Sequence, residues 1–148
     1  MADKLRFEKF ARFVADRFSG ARRVYDIAGG QGRLNEELTK LGRETTTFDQ
    51  RHKHLEVRYE QRRFTVDEPC ACDVVVGMHP DGATRVIIEY AAAHRVPFAI
   101  VPCCSDNGMS YKPWMRHLAE LAATHGMSVE HHTLEMQGRA AVIVGVPP

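Results

Sequence analysis

Apolar and polar positions along the 148 residues fall into alternating helical and extended periods. Over Leu5–Phe18, Phe7, Phe10, Val14 and Phe18 recur at helical spacing with basic residues between them, which predicts an amphipathic helix packed on a sheet. Ser19-Gly20 ends it. The apolar run Arg23–Ile27 predicts a buried strand that enters a glycine-rich turn, and Leu34, Leu38 and Leu41 then mark one face of a helix closed by Gly42. Glu44–Phe48 reads as a second strand ending at Asp49. Arg51–Tyr59 reads as a short helix and Arg62–Val66 as a third strand.

Asp73–Met78 is a short β-branched run and predicts a buried central strand broken by His79-Pro80-Asp81-Gly82. A helix is expected over Ala83–His94, a buried strand over Pro97–Val101, and a polar loop over Cys103–Lys112. Pro113 and Gly126 bracket a further helix. Ser128–Met136, the Gln137-Gly138 turn and Arg139–Val146 form a closing β-hairpin. Strands alternating with helices imply an α/β fold: one doubly wound, mostly parallel seven-stranded sheet with a C-terminal antiparallel hairpin. The expected organisation is a single domain over residues 1–148, with an N-terminal helix in 1–20 and the core in 21–148. Such sheets bind ligands beyond the carboxyl ends of their strands.

Composition changes this picture little. A 44% hydrophobic and 26% charged chain with net charge +1 is ordinary for a globular domain. Charge is unevenly spread, with basic stretches over Met1–Arg23 and Arg51–Arg63. No apolar run approaches the roughly 20 residues needed to cross a bilayer, and the N-terminus lacks the apolar core of a secretory signal, so no membrane association and a cytoplasmic location are expected. Cys70, Cys72, Cys103 and Cys104 are then reduced thiols. Their spacing suits zinc poorly, and the two pairs belong at opposite ends of a parallel sheet, so no metal site is expected.

The chemistry concentrates in Val24-Tyr-Asp26-Ile-Ala28-Gly29-Gly30-Gln-Gly32. Missing Cβ atoms let the backbone approach a ligand at a helix N-terminus. This stretch resembles the first motif of class I S-adenosylmethionine-dependent methyltransferases, with Ala28 in place of the first usual glycine. Asp49, about 20 residues on, matches the acid that binds ribose hydroxyls in a nucleoside-binding β-α-β unit. A dinucleotide-binding pattern would need glycine at Asn35. The resemblance covers Arg23 to the C-terminus and implies S-adenosyl-L-methionine as cofactor, held by Asp26, Ala28, Gly29, Gly30, Gly32, Asp49, Gln50, Asp67 and Met78. In it Asp26 would accept a bond from the methionine amino group.

Around the exit of the fourth strand, His79, Pro80, Asp81, Ala83 and Thr84, together with Val101-Pro102-Cys103-Cys104, are similar to a smaller group that includes some tRNA 2′-O-methyltransferases. His79 is then a candidate general base with Asp81 beside it, although Asp81 also suits a helix N-cap. Cys103, Cys104, Tyr111 and Trp114 are candidate substrate contacts, the cysteines by packing at the pocket floor and the aromatics by stacking on a base. RNA, with tRNA favoured, is the expected acceptor. A small-molecule acceptor and a non-catalytic cofactor-binding module are the alternatives, and recognition by an oligomer or a partner protein is open.

Overall fold

The computed structural model describes residues 3–51, 53–105 and 107–148. Met1, Ala2, His52 and Asp106, which fall in the expected N-terminal segment, short helix and polar loop, lie outside the described residues. The elements in chain order are α1 (Arg6–Arg17), β1 (Arg23–Ile27), α2 (Arg33–Lys40), β2 (Glu44–Asp49), β3 (Tyr59–Gln61), β4 (Val74–Met78), α3 (Thr84–His94), β5 (Phe98–Val101), α4 (Tyr111–Thr124), β6 (Ser128–Thr133) and β7 (Ala141–Val146). They form one seven-stranded sheet in the order β3-β2-β1-β4-β5-β7-β6. Strands β1 to β5 run parallel, while β7 is antiparallel to both β5 and β6. The expected α/β sheet with its closing hairpin is therefore the observed one.

Alternation along the strands sorts side chains into two cores. Val24, Val74 and Val76 face α1 and α2, meeting Phe10, Ala11, Val14, Leu34 and Leu38. Tyr25, Ile27, Val75 and Phe48 face α3 and α4, meeting Ile87, Ile88, Tyr90, Trp114 and Leu118. Asp26 lies between Tyr25 and Ile27 and so shares the face of Val24, pointing its carboxyl toward α2 instead of solvent. Helix ends follow local chemistry. After α2, Gly42 at φ +83° lets its own N–H reach the Thr39 carbonyl and that of Arg43 reach the Leu38 carbonyl.

Three sequence expectations change. No helix forms among the described residues of Arg51–Tyr59: the Leu55 N–H donates to the Gln31 carbonyl at 2.8 Å, and the Val57 N–H turns back to the Leu55 carbonyl at 2.9 Å, a spacing too short for a helix. The third strand is Tyr59–Gln61, not Arg62–Val66, and it pairs with Thr47–Asp49. Beyond it the chain leaves the sheet, which buries Phe64 against Tyr25, Phe48 and Tyr90. Helix α4 starts at Tyr111, placing Pro113 third in the first turn, where no intrahelical N–H bond is lost.

The sheet's closing pair is tight at one point. Gly145 lies opposite Phe98, and a Cβ there would stand 2.1 Å from the Phe98 ring. Gly145→Ala should therefore destabilise the fold by about 1–3 kcal/mol through overpacking. Denaturant unfolding checks this, and an unchanged midpoint would show that the ring moves freely.

Candidate cofactor and acceptor site

Strand order reverses between β1 and β4, and their carboxyl ends splay to leave a crevice. The turn after β1 occupies it. Ala28 and Gly30 both adopt left-handed backbone, φ +54° and +59°. Ala28, at the position of the usual first glycine, thus keeps a conformation that costs an L-residue roughly 1 kcal/mol. Gly32 caps α2 at φ +92°, and a Cβ on it would meet Val57 at 2.7 Å.

Asp26 organises this turn from beneath. It is fully buried, and the Thr47 hydroxyl donates to its Oδ2 at 2.7 Å. Asn35 Nδ2 in turn donates to Thr47 Oγ1 at 3.1 Å and to the Thr45 and Arg58 carbonyls at 3.1 and 3.0 Å. The Thr39 hydroxyl donates to Asn35 Oδ1. Gly29 lies over the carboxyl so closely that a Cβ would stand 2.1 Å from Oδ2. Asp26 borders neither cavity of the crevice, and its buried Oδ1 has no hydrogen-bond partner among the described residues. Burial pushes its carboxyl up to about 7, the Thr47 bond opposes that rise, and the nearby Asp49 charge adds to it.

Two cavities meet at Ala28. The larger, about 670 Å³, is walled by Ile27, Phe48, Phe64, Ala83 and Val86, with Asp49 and Gln50 at its polar edge. Asp49 is held by the Gly30 N–H, which donates to Oδ2 at 2.8 Å, and by the Arg51 N–H. The Tyr59 hydroxyl donates to the Gly30 carbonyl, fixing the same residue through the following peptide. Burial and the Asp49 charge raise that phenol to about 12, so it stays a donor. The smaller cavity, about 240 Å³, is bordered by Gly29, Gly30, Met78 and His79 and by Arg6, Arg33 and Arg51. Sequence reading missed those three arginines as site residues, treating two of them only as parts of basic stretches.

His79 sits at φ +48°, and its Nε2 meets the Arg139 carbonyl at 3.2 Å. Because a carbonyl only accepts, Nε2 carries the proton and Nδ1 is left as an acceptor. Burial lowers the pKa of the ring, the bond to the Arg139 carbonyl opposes that, and the Arg6 charge acts with burial. Asp81 does not share its work. It borders the larger cavity and lies 3.7 Å from Cys104 Sγ. Nor does it cap α3, whose N-cap is Ala83 with no side-chain bond.

Other expected contacts separate. Asp67 is exposed and borders neither cavity. Trp114 is 0% exposed, packed in the α3–α4 core, so it has no face for a substrate. The Arg139 guanidinium covers the Tyr111 ring at 3.6 Å, which removes one stacking face. Cys103 and Cys104 lie at the surface with sulfurs 3.3 Å apart, not at a pocket floor. The bond to Cys103 and burial raise the Cys104 thiol to about 11, the opposite of nucleophile activation.

No protein-family model and no curated sequence matches the chain. Solved structures do: DesVI of Streptomyces venezuelae matches with TM-score 0.70 at 12% identity, over 96% of this chain and 90% of that one. The fold is that of class I methyltransferases. The sugar N-methyltransferase KedS8 from a Streptoalloteichus species matches with TM-score 0.69 at 15% identity, over 97% and 87%. Human N-acetylserotonin methyltransferase, solved with SAM, gives 0.62 at 14%, over 95% of this chain and 51% of that one. Among the described residues no helix is long and apolar enough to cross a membrane.

Asp26 supplies a pH signature. Its folded-state pKa lies above the unfolded value near 4, so its contribution is fully present below about pH 4 and is lost as pH rises through about 7. Asp26→Asn mimics the protonated form. The stability difference between Asp26→Asn and wild type, followed by urea unfolding from pH 4 to 8, should widen in the variant's favour with rising pH; parallel profiles would contradict the burial argument.

Proposed function

We propose that the chain is an S-adenosylmethionine-dependent methyltransferase acting on a small molecule. The observation that carries this reading is the Asp49–Gly30 corner, a carboxylate pinned by the glycine turn at the edge of an apolar cavity on the sheet's switch point. The residues fit the cofactor. Asp49 and Gln50 would hold the ribose hydroxyls, Phe48, Phe64 and Val86 would flank the adenine, and Ala28, Gly29, Gly30 and Met78 would line the path to the second cavity. When bound, the cofactor supplies an electrophilic methyl group on a sulfonium.

His79 faces that second cavity and holds an acceptor nitrogen for the proton of an attacking hydroxyl or amine. The rest of the chain's contribution is alignment, which supplies much of the acceleration in an in-line displacement. Support for a small acceptor over RNA is local. Trp114 is buried and Arg139 covers one face of Tyr111, which leaves little of the expected pair of stacking aromatics. Lys9, Arg12, Arg17, Arg23 and Arg62, from the two basic stretches, are each paired with a neighbouring acid. Two of the similar structures are also named for sugar and N-acetylserotonin methylation.

Titration calorimetry with S-adenosylmethionine, then labelled-donor assays on a metabolite extract and on total RNA, test the reading. Label is expected in the metabolites. Label in RNA would restore the nucleic-acid acceptor, and binding without transfer would favour a module that works with a partner. Asp49→Ala should weaken donor binding roughly tenfold, the loss of charge-assisted hydrogen bonds. His79→Ala should lower turnover by about 100-fold with little change in donor affinity; equal turnover would leave His79 a purely structural residue.

A further inference from the structure

The smaller cavity has an unbalanced charge. Arg6 reaches it from α1, Arg33 from the start of α2, and Arg51 from the segment after β2, while no aspartate or glutamate borders it. Among the described residues none of the three is ion-paired. Arg6 donates to the Asp3 carbonyl and lies over the Phe7 ring, but the Asp3 carboxylate is taken by Lys9. The Arg51 guanidinium carbon stands 4.0 Å from where a Cβ on Gly30 would be, so this cation sits against the turn. Arg12, Arg17, Arg23 and Arg62 on the same two stretches are each ion-paired instead.

The cofactor of the proposed reaction does not supply the missing charge. The ammonium and carboxylate of its methionine end cancel, and the sulfonium leaves one net positive charge. Three guanidinium groups and a sulfonium around one small space repel one another, and a further anion among them relieves that repulsion. We infer that the methyl acceptor is a small anion whose carboxylate or phosphate is held by Arg6, Arg33 and Arg51 beside His79. Guanidinium forks suit either group through paired N–H bonds. The anion then sets acceptor orientation, and His79 Nδ1 is left for the atom that is methylated.

This assignment rests on the methyltransferase reading, and the two fail differently. With the full chain saturated by S-adenosylhomocysteine, citrate and inorganic phosphate are titrated while backbone amide NMR signals are followed. Saturable shifts are expected at Gly29, Gly30 and His79, with affinity reduced at least tenfold in Arg33→Gln and in Arg51→Gln. Arg12→Gln, whose guanidinium pairs with Glu8 on the same helix, should bind the probes as wild type does. Glycerol should shift none of these signals. Absent shifts, or equal affinity in all variants, overturn the anion site; failure of S-adenosylhomocysteine to bind counts against the methyltransferase reading itself. In the labelled-donor assay the product should be a small molecule retained on an anion exchanger. Label in unretained small molecules, or in ribonuclease-sensitive material, overturns the assignment.

Discussion

A carboxyl group with no exposed surface governs the centre of this protein. Asp26 points from β1 into the apolar layer under α2, where an unsatisfied polar group costs about 1–3 kcal/mol. Its compensation is a chain of side chains, Thr47 to Asp26 and Asn35 to Thr47, that also draws in the Thr45 and Arg58 carbonyls. One buried amide thereby fastens α2 to β2 and to the segment leading into β3. The turn above is then held on both sides, by the carboxyl below and by Asp49 and Tyr59 from the neighbouring strands.

From that frame the division of labour across the crevice follows. The apolar walls and the Asp49 edge lie on the side of α3 with Arg62 and Arg63 at the rim, while Arg6 and Arg33 approach from α1 and α2 and Arg51 from the segment after β2. Parallel strands cannot produce this alone. It needs the strand order to reverse beside β1, so that successive loops open to opposite sides of one turn. Several surface cations are held in short-range pairs with acids, whereas the smaller cavity brings Arg6, Arg33 and Arg51 together with no acid on its border.

Much of the fold was legible because it is written locally. Arg23–Ile27 is a strand at the expected bounds, Gly42 and Gly126 close their helices, and the final hairpin pairs as its pattern requires. Asp49 was readable from its distance to the turn. The region from Arg51 to Val66 was not, because its backbone partners are Gln31 and Thr47, far away in sequence. Trp114 fell at the start of the expected helix, where the sequence does not say whether a side chain turns to the crevice or to the core; it turns to the core against α3. The cation ring was hidden for a similar reason: Arg6, Arg33 and Arg51 share no period and meet only through the tertiary fold. Asn35 was used only to set aside a dinucleotide pattern, yet it proves central to the polar network.

The contact between Gly29 and Asp26 has a consequence for how this turn can change over time. Glycine is required at 29 because the Asp26 carboxyl and the Thr47 methyl both occupy the space a Cβ would need. Three positions are therefore coupled as substitutions: position 29 can accept a side chain only after positions 26 and 47 have both vacated that space, and a side chain at 29 with Asp26 and Thr47 in place is sterically closed to this backbone.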